Sequence, residues 1–364
     1  MLIKAHNTLL RLAKADIAFY VLPPIMLLLF SGTLAQKYIG LYAAHKMFFA
    51  SFIFWAGPVP LPGGYTLLFI LTFALACKFF LKSKWSWKKA GIHLSHLGVL
   101  VLLLGGLMTA LDAQESYMVI PEGGKTHYMY DYTHRELVVS SDTQIRRIPF
   151  SRIDDEPLPF DLKVLESCEN CEIEKRAETD QDFGDLPLRA FAQFMALKPK
   201  PKDKDPEANL SGLSFTLFGL DDDNQNGLYI AFEAMPKPIK VTKNGKDYEI
   251  IFGKAQRTLP FALHLKEFTK LTYPGTDKAK DYISELEVLD GDLTWPARIE
   301  MNEPLRYKGY TFFQSSFERT EDTELTILSV VKNRGWLFPY IGTIIIALGL
   351  IMHLFIITGR AGKL

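Results

Sequence analysis

Histidines lie deep within two of the four apolar stretches of this 364-residue chain. His93 and His96 are three apart near the start of Ala90–Leu111, and that spacing on a helix is one face. His353 sits near the end of Trp336–Ile357. At the helical rise per residue, His96 is about 9 Å in from Ala90 and His353 about 6–7 Å in from Ile357. Run antiparallel, the two stretches bring these imidazoles to similar depth near one membrane surface. Polar groups at such depth are costly and usually have a purpose. Two facing imidazoles can hold a haem iron axially. Gly342, Gly349 and His353 share roughly one stripe, which lets a neighbour or a flat ligand approach closely. The plainer alternative is a helix–helix hydrogen bond, or rings reaching for headgroups. His45 is a second candidate ligand on the outer side, equally readable as an interface residue.

Cys168 and Cys171 form a C-x-x-C pair in the polar middle of the chain. In an oxidising compartment such a pair is a small disulfide or a redox couple. Glu172 stands where a c-type haem attachment motif would need histidine. Glu166, Glu169, Glu172 and Glu174 surround the pair, and negative neighbours disfavour a reactive thiolate. A loop-stapling disulfide is the expectation. Cys77, in an apolar stretch, reads as packing. The patterns H-E-x-x-H, G-x-S-x-G and the Walker loop are absent, and no basic tract suggests nucleic acid. His127 and His134 flank Tyr128, Tyr130 and Tyr132, which could meet a flat ligand or simply surround a hairpin.

The elements that must position these residues follow from segregated charge. Overall the chain is 48% hydrophobic and 23% charged with zero formal net charge, yet charges are nearly absent from Ile17–Gln36, Met47–Cys77, Ala90–Leu111 and Trp336–Ile357. A bilayer core takes about 20 apolar residues as helix. We expect a membrane part over 1–111 with helices at about 17–36, 65–81 and 90–111, and an interfacial or re-entrant segment at about 45–56, with Met47–Trp55 as a short helix. A β-rich domain spans 112–334, the fourth helix 335–358, and a cytoplasmic tail 359–364. The first stretch lacks an A-x-A-like cleavage site and reads as a retained helix.

Lys4, Arg11 and Lys14, then Lys78, Lys82, Lys84, Lys88 and Lys89, then Arg360 and Lys363, fall on one side if there are exactly four spans. By the positive-inside rule that side is cytoplasmic. The large domain then faces the periplasm or exterior of a bacterial inner membrane.

In that domain the expected strands are Tyr117–Ile120, Leu137–Ser140, Phe160–Glu166, Ser214–Phe218, Tyr229–Phe232, Tyr248–Phe252, Phe261–Lys266, Tyr282–Leu289, Ala297–Met301, Tyr310–Phe317 and Glu324–Val331, several alternating apolar with polar. Lys198–Leu210 and Asp221–Gly227 read as surface loops, and Arg189–Met195 as a short helical piece. The fold class is therefore a four-helix integral membrane protein with a β-rich, sandwich-like outer domain, or a pair of small β units, between the third and fourth helices.

Local runs add a resemblance. Gly32-Thr33-Leu34-Ala35-Gln36 follows the first helix pattern, and His96-Leu97-Gly98 with Gly105-Gly106 marks the third. Tyr273-Pro274-Gly275-Thr276 precedes Asp281-Tyr282-Ile283-Ser284. Asn302-Glu303-Pro304-Leu305, Tyr307, Gly309-Tyr310 and Gln314-Ser315-Ser316-Phe317 form the most distinctive stretch. In these runs and in its layout the chain resembles the ResB family of cytochrome c biogenesis proteins. Residues from about 140 to 260 carry no such likeness.

The resemblance implies a subunit, non-catalytic or co-catalytic, of a system II haem lyase (cytochrome c synthetase). It would work with a CcsA/ResC-like haem-handling membrane protein. The pair would carry haem b, transiently bound, outward for attachment to the C-x-x-C-H thiols of apocytochrome c. Thioether formation needs reduced thiols and ferrous haem, so a thioredoxin-like thiol reductant is a further implied partner. A haem-binding histidine in a membrane helix maps first to His96, with His93 and His353 as alternatives. The tryptophan-rich W-W-D signature of the partner is missing, as expected of an unfused subunit. The family stretch Asn302, Pro304, Tyr310, Gln314, Ser315 and Ser316 would contact the partner or the haem edge, or would simply be a turn and a packed strand. Rival readings are a scaffold or apocytochrome chaperone with no haem contact, a membrane thiol-redox relay through Cys168 and Cys171, and a chain repurposed for another haem complex.

Overall fold

A computed structural model describes residues 16–176, 186–319 and 323–361. Lys4, Arg11, Lys14 and Lys363, and the side chain of Arg360, lie outside the described residues. Among those described, four helices are long and apolar enough to cross a membrane: Ile17–Ile39, Gly64–Lys82, Trp87–Asp112 and Phe338–Gly359. Their regular cores are α1 (Asp16–Ile39), α2 (Gly64–Cys77), α3 (Ala90–Asp112) and α4 (Phe338–Ala361). The protein is a four-span inner-membrane protein whose β-rich domain, between the third and fourth spans, is periplasmic. Pro23 and Pro24 sit inside α1, a position membrane helices tolerate.

The stretch expected as a re-entrant helix at Met47–Trp55 differs. A helical turn at Leu41–Ala44 runs into a π-helical turn at His45–Phe49, and the chain then makes a hairpin of β1 (Ile53–Ala56) and β2 (Val59–Pro62). Gly57, at φ +64°, and Pro58 reverse the chain there, and the aromatic and branched residues on either side pair across the turn.

The chain divides into two compact units: Met1–Gln114 with Arg306–Thr311 and Val331–Leu364, and Glu115–Leu305 with Phe312–Val330. The second is built of strands. In order these are β3 (Gln114–Pro121), β4 (Lys125–Ser140), β5 (Ile145–Pro149), β6 (Asp161–Cys168), β7 (Cys171–Lys175), β8 (Met195–Pro199), β9 (Gly212–Phe218) and β10 (Gly227–Phe232). They continue with β11 (Ile239–Lys243), β12 (Lys246–Thr272), β13 (Ala279–Asp290), β14 (Leu293–Glu300), β15 (Leu305–Tyr307), β16 (Tyr310–Arg319) and β17 (Glu324–Lys332), of which Arg306–Thr311 and the last two residues of β17 count with the first unit. Among the described residues the largest sheet has the order β14-β13-β12-β4-β3-β17-β16-β15, with β11 added to β12 and β5 to β4. A three-stranded sheet, β10-β9-β6, and a pair, β7-β8, complete the unit.

Two long strands serve two cores. The first half of β12 and the second half of β4, with β5 and β11, pack on β6-β9-β10 around Leu137, Phe160, Phe215, Leu217, Ile250 and Phe252. Farther along β12 the large sheet folds over itself. Phe261 meets Phe312 edge-on at 6.0 Å, and Phe268 stacks on Phe317 at 5.4 Å. Phe215 and Phe312, each 0% exposed, contribute roughly 1.5–3 kcal/mol apiece from burial. The pair of small β units expected from sequence is thus joined through shared strands.

Candidate functional site

Helices α3 and α4 meet along a seam of small residues. On α3 it comprises Gly91, Ser95, Gly98, Leu102, Gly105 and Thr109, spaced alternately four and three apart. That is a heptad pattern, suited to a near-parallel, left-handed helix crossing. A Cβ placed on Gly98 would lie 2.8 Å from the Gly342 carbonyl oxygen, and one on Gly349 would lie 2.5 Å from the Ser95 nitrogen. At the outer end, Asn333 Nδ2 donates to Thr109 Oγ1 at 3.1 Å while its Oδ1 accepts from Gly335 N–H at 2.7 Å. The close neighbour expected on the Gly342–Gly349–His353 stripe is therefore α3.

His353 occupies the cytoplasmic end of this seam. Its backbone crosses Gly91 so closely that a Cβ there would stand 2.5 Å from the His353 nitrogen. His353 Nδ1 is buried and, among the described residues, has no hydrogen-bond partner. His96 follows Ser95, so the helix turns it about 100° off the seam; it is half-buried. Because Ser95 faces Gly349 and Gly91 faces His353, the two histidines differ in level by about 6–7.5 Å along the helices. Side chains lean toward their own helix N-terminus. In this antiparallel pair the leans converge and close part of that offset. On the Leu94 flank a shallow apolar groove is lined by Leu94, Leu348, Ile351, Met352, Phe355 and Ile356.

His93 is held differently. Its Nδ1 accepts from Ser83 Oγ at 3.2 Å, its Nε2 donates to the Lys84 carbonyl at 3.3 Å, and its ring stacks on Trp85 at 4.8 Å. With both nitrogens engaged and 6% exposure, it pins the Ser83–Trp85 link against α3. His45 is exposed on the outer side, 6.2 Å from the Phe49 ring. It is not brought near the other histidines of the membrane helices, which lie toward the opposite end of the spans.

Cys168 and Cys171 are joined in a disulfide. It closes the turn from β6 into β7, strands of different sheets. Around it Asn170 Nδ2 donates to the Pro201 carbonyl at 2.7 Å, Ser211 Oγ donates to the Glu169 carbonyl at 3.0 Å, and Lys200 pairs with Glu172 at 3.0 Å. Glu169 and Glu172 are thus tied to the β8–β9 loop.

The stretch 302–317 separates into inward and outward residues. Gln314 is buried. Its Oε1 accepts from Ser284 Oγ at 2.7 Å, and its Nε2 donates to Thr326 Oγ1 at 2.9 Å and to the Ser316 carbonyl at 3.0 Å. Ser284 and Thr326 are both 0% exposed, so the glutamine amide satisfies a polar group sealed inside the folded-over sheet. Tyr310 is buried with Lys332 Nζ 5.3 Å above its ring. Pro304 is half-buried; Asn302, Ser315 and Ser316 are exposed. Lys308 (φ +47°) and Gly309 (φ +82°) give the β15–β16 turn the positive angles of a type I′ hairpin.

One cluster escaped the sequence. Tyr117 lies 5.7 Å from Tyr130 and 5.2 Å from Tyr132, with Lys254 Nζ 4.9 Å over its ring. Glu233 pairs with Arg135 at 3.3 Å and with Lys254 at 3.6 Å. Burial, reinforced by the Glu233 charge, pushes the Tyr117 hydroxyl up to about 12. Nearby, burial alone would raise Asp131. Bonds from Thr133 and His134 outweigh it and hold the carboxyl below its ordinary range. Of the tyrosines flagged from sequence, Tyr130 and Tyr132 join this cluster, while Tyr128 contacts His127 instead. The missing signal was long-range: Tyr117, Lys254 and Glu233 come from three separate strands or their ends.

Residues 241–328 match the ResB-like family. Protein NrfI of Wolinella succinogenes is 33% identical over 114 residues, which is 31% of this chain and 12% of that protein. This chain therefore aligns with only a small part of that relative's length.

Proposed function

We propose that this chain, which belongs to the ResB-like family, is the unfused subunit of a system II cytochrome c synthetase. It captures haem b as cargo at the cytoplasmic end of the α3–α4 pair. Together with a CcsA/ResC-like partner it helps present that haem on the outer side for thioether attachment to the C-x-x-C-H thiols of apocytochrome c. The observation that carries this reading is the Nδ1 of His353, buried and without a hydrogen-bond partner among the described residues, with His96 offset by about one and a half turns or less on the facing helix.

A buried imidazole nitrogen without a partner costs roughly 1–3 kcal/mol, a cost that binding at the ring would relieve. An imidazole supplies the lone pair that a haem iron accepts axially. His353 and His96 are the rings that would hold the iron, whereas His93 serves the Ser83–Trp85 link. The glycine seam keeps α3 and α4 at one separation and fixes the attitude of His353. The disulfide at Cys168–Cys171 suits a staple, and thiol reduction is assigned to a separate thioredoxin-like protein. The β-rich unit would engage apocytochrome.

The test uses the full chain, purified in detergent from membranes supplied with excess haem. Soret absorbance per protein is measured for the parent and for His353→Ala, His96→Ala and His93→Ala, each with a melting curve. Loss of haem in His353→Ala or His96→Ala at unchanged melting temperature, recovered with added imidazole, supports capture. Parent-level haem in both, or none in the parent, would leave the non-haem-binding scaffold as the correct account.

A further inference from the structure

The loop between α1 and α2 carries a small β-hairpin that is apolar on its outside. Phe52, Ile53, Trp55, Val59 and Leu61 are exposed, at 67%, 60%, 60%, 52% and 38%. The chain has no charged residue from Met47 to Cys77. Water is a poor partner for such a surface, but an open sheet edge is also a poor guest in hydrocarbon, because its outward N–H groups go unsatisfied.

On its β2 side the hairpin answers this with prolines. Gly63 N–H donates to the Phe52 carbonyl at 2.8 Å, and the register runs Ile53↔Pro62, Phe54↔Leu61, Trp55↔Pro60, Ala56↔Val59. Hydrogen-bonded and non-bonded pairs alternate in an antiparallel ladder. Phe52–Gly63 is a bonded pair, so Phe54–Leu61 and Ala56–Val59 are bonded too. Pro60 and Pro62 fall in the other class, where the backbone nitrogen points away from the partner strand. Both outward N–H groups of β2 are therefore absent, and the remaining ones, on Val59 and Leu61, face β1. Proline is placed at every position where this edge would otherwise offer a donor.

Depth gives an independent argument. The Phe49 ring fills the space over Gly32, where a Cβ would collide with it. Gly32 is seven residues before the outer end of α1 at Ile39, or about 10 Å inward. Gly64, the first residue of α2, sits against the Phe49 backbone, and Gly63 against Ser51. The base of the hairpin is thus held well below the top of α1. Its four-residue strands extend only about 13 Å. Phe54 turns inward, 4.8 Å from Phe48, in the cluster that includes Val21, Leu28 and Leu67 of α1 and α2.

We infer that the β1–β2 hairpin is inserted into the outer leaflet, with Phe52, Ile53, Trp55, Val59 and Leu61 against lipid acyl chains and a β2 edge made compatible with hydrocarbon by Pro60 and Pro62. It anchors the outer end of the α1–α2 pair at a fixed depth. The surface is independent of the haem reading above.

The full chain carrying Val59→Cys is reconstituted alone in phosphatidylcholine–phosphatidylglycerol vesicles and treated with a membrane-impermeant maleimide; Thr143→Cys, exposed in the β-rich unit, is the control. Cys77 is buried and the other cysteines are paired. The inference expects labelling of Val59→Cys at least tenfold slower than the control. Adding Pro60→Ala and Pro62→Ala should raise its rate several-fold. In parallel, Trp55, with the other four tryptophans replaced by Phe, should be quenched more than half by dibrominated acyl chains. Labelling as fast as the control overturns the inference. So does protection seen only in native membranes and not in these vesicles, which would give the surface to a protein partner. If the tryptophan variant fails to fold, the cysteine pair still decides.

Discussion

Replacing Gly98 by Ala adds one methyl group to the middle of the close α3–α4 seam. The new Cβ would lie 2.6 Å from Ile346 Cγ1, 2.8 Å from the Gly342 carbonyl oxygen and 2.9 Å from the Ile346 nitrogen. Comfortable contacts for carbon are about 3.5–4.0 Å. Two of the three obstacles are backbone atoms of α4, so rotating a side chain cannot clear them. The helices must separate by roughly 0.7–1 Å. Overpacking of that kind costs about 1–3 kcal/mol, against an intrinsic gain of about 0.5–1 kcal/mol for Ala over Gly in a helix. The net expectation is a loss of up to about 2.5 kcal/mol. Gly106, eight residues along the same helix, is the matched control: a Cβ there meets nothing within 4 Å. Gly106→Ala keeps only the gain, so the two variants should differ by about 1–3 kcal/mol. The difference is measured from SDS-titration midpoints of the full chain in mixed micelles, followed by circular dichroism. Gly98→Ala matching or exceeding Gly106→Ala in stability would refute the close seam and the fixed attitude of His353 that rests on it.

Two further outcomes follow from the β-rich unit. Gln314→Leu removes the amide that satisfies Ser284 and Thr326, and should destabilise this unit by about 1–3 kcal/mol, whereas exposed Ser315→Ala should stay within about 0.5 kcal/mol. Urea unfolding followed by limited proteolysis reads both, and equal losses would deny Gln314 its internal role. Replacing Cys168 and Cys171 by Ser opens a four-residue loop whose closure contributes about 2 kcal/mol in the chain-entropy picture. The unit should loosen by about that much while cytochrome c maturation persists at permissive temperature. Complete loss of maturation in a variant that still folds would favour the redox relay.

Much of the architecture could be read from pattern. The spans announced themselves because charge is excluded from them, and each expected strand lies on an observed strand. What failed has specific causes. Tyr248–Phe252 and Phe261–Lys266 were expected as separate strands, but both belong to β12. The intervening residues include Pro260, and the ladder to β4 skips register there, between Thr258 and Leu263, where no donor is required. The strand β11 went unseen although Asn244-Gly245, both at positive φ, is a strong hairpin signal. Strands β7 and β8 were hidden because their surface positions carry Glu172, Glu174 and Lys198. At the candidate site, helical spacing marks His96 and His353 as candidates but says nothing of the offset between them, which depends on which glycines face which turns. His93 looked equivalent to His96 because its partners, Ser83, Lys84 and Trp85, lie in a link that no helical period describes.

The seam also dictates an order of manufacture. Gly91 and His353 touch, yet 262 positions separate them along the polypeptide. At bacterial elongation rates roughly 15–50 s elapse between their emergence from the ribosome. Throughout that interval the glycine face of α3 stays uncovered in the bilayer, and the facing imidazoles do not coexist. A message broken anywhere in the β-rich stretch yields a product unable to assemble the α3–α4 pair, so the seam closes only in chains whose outer portion has already been made.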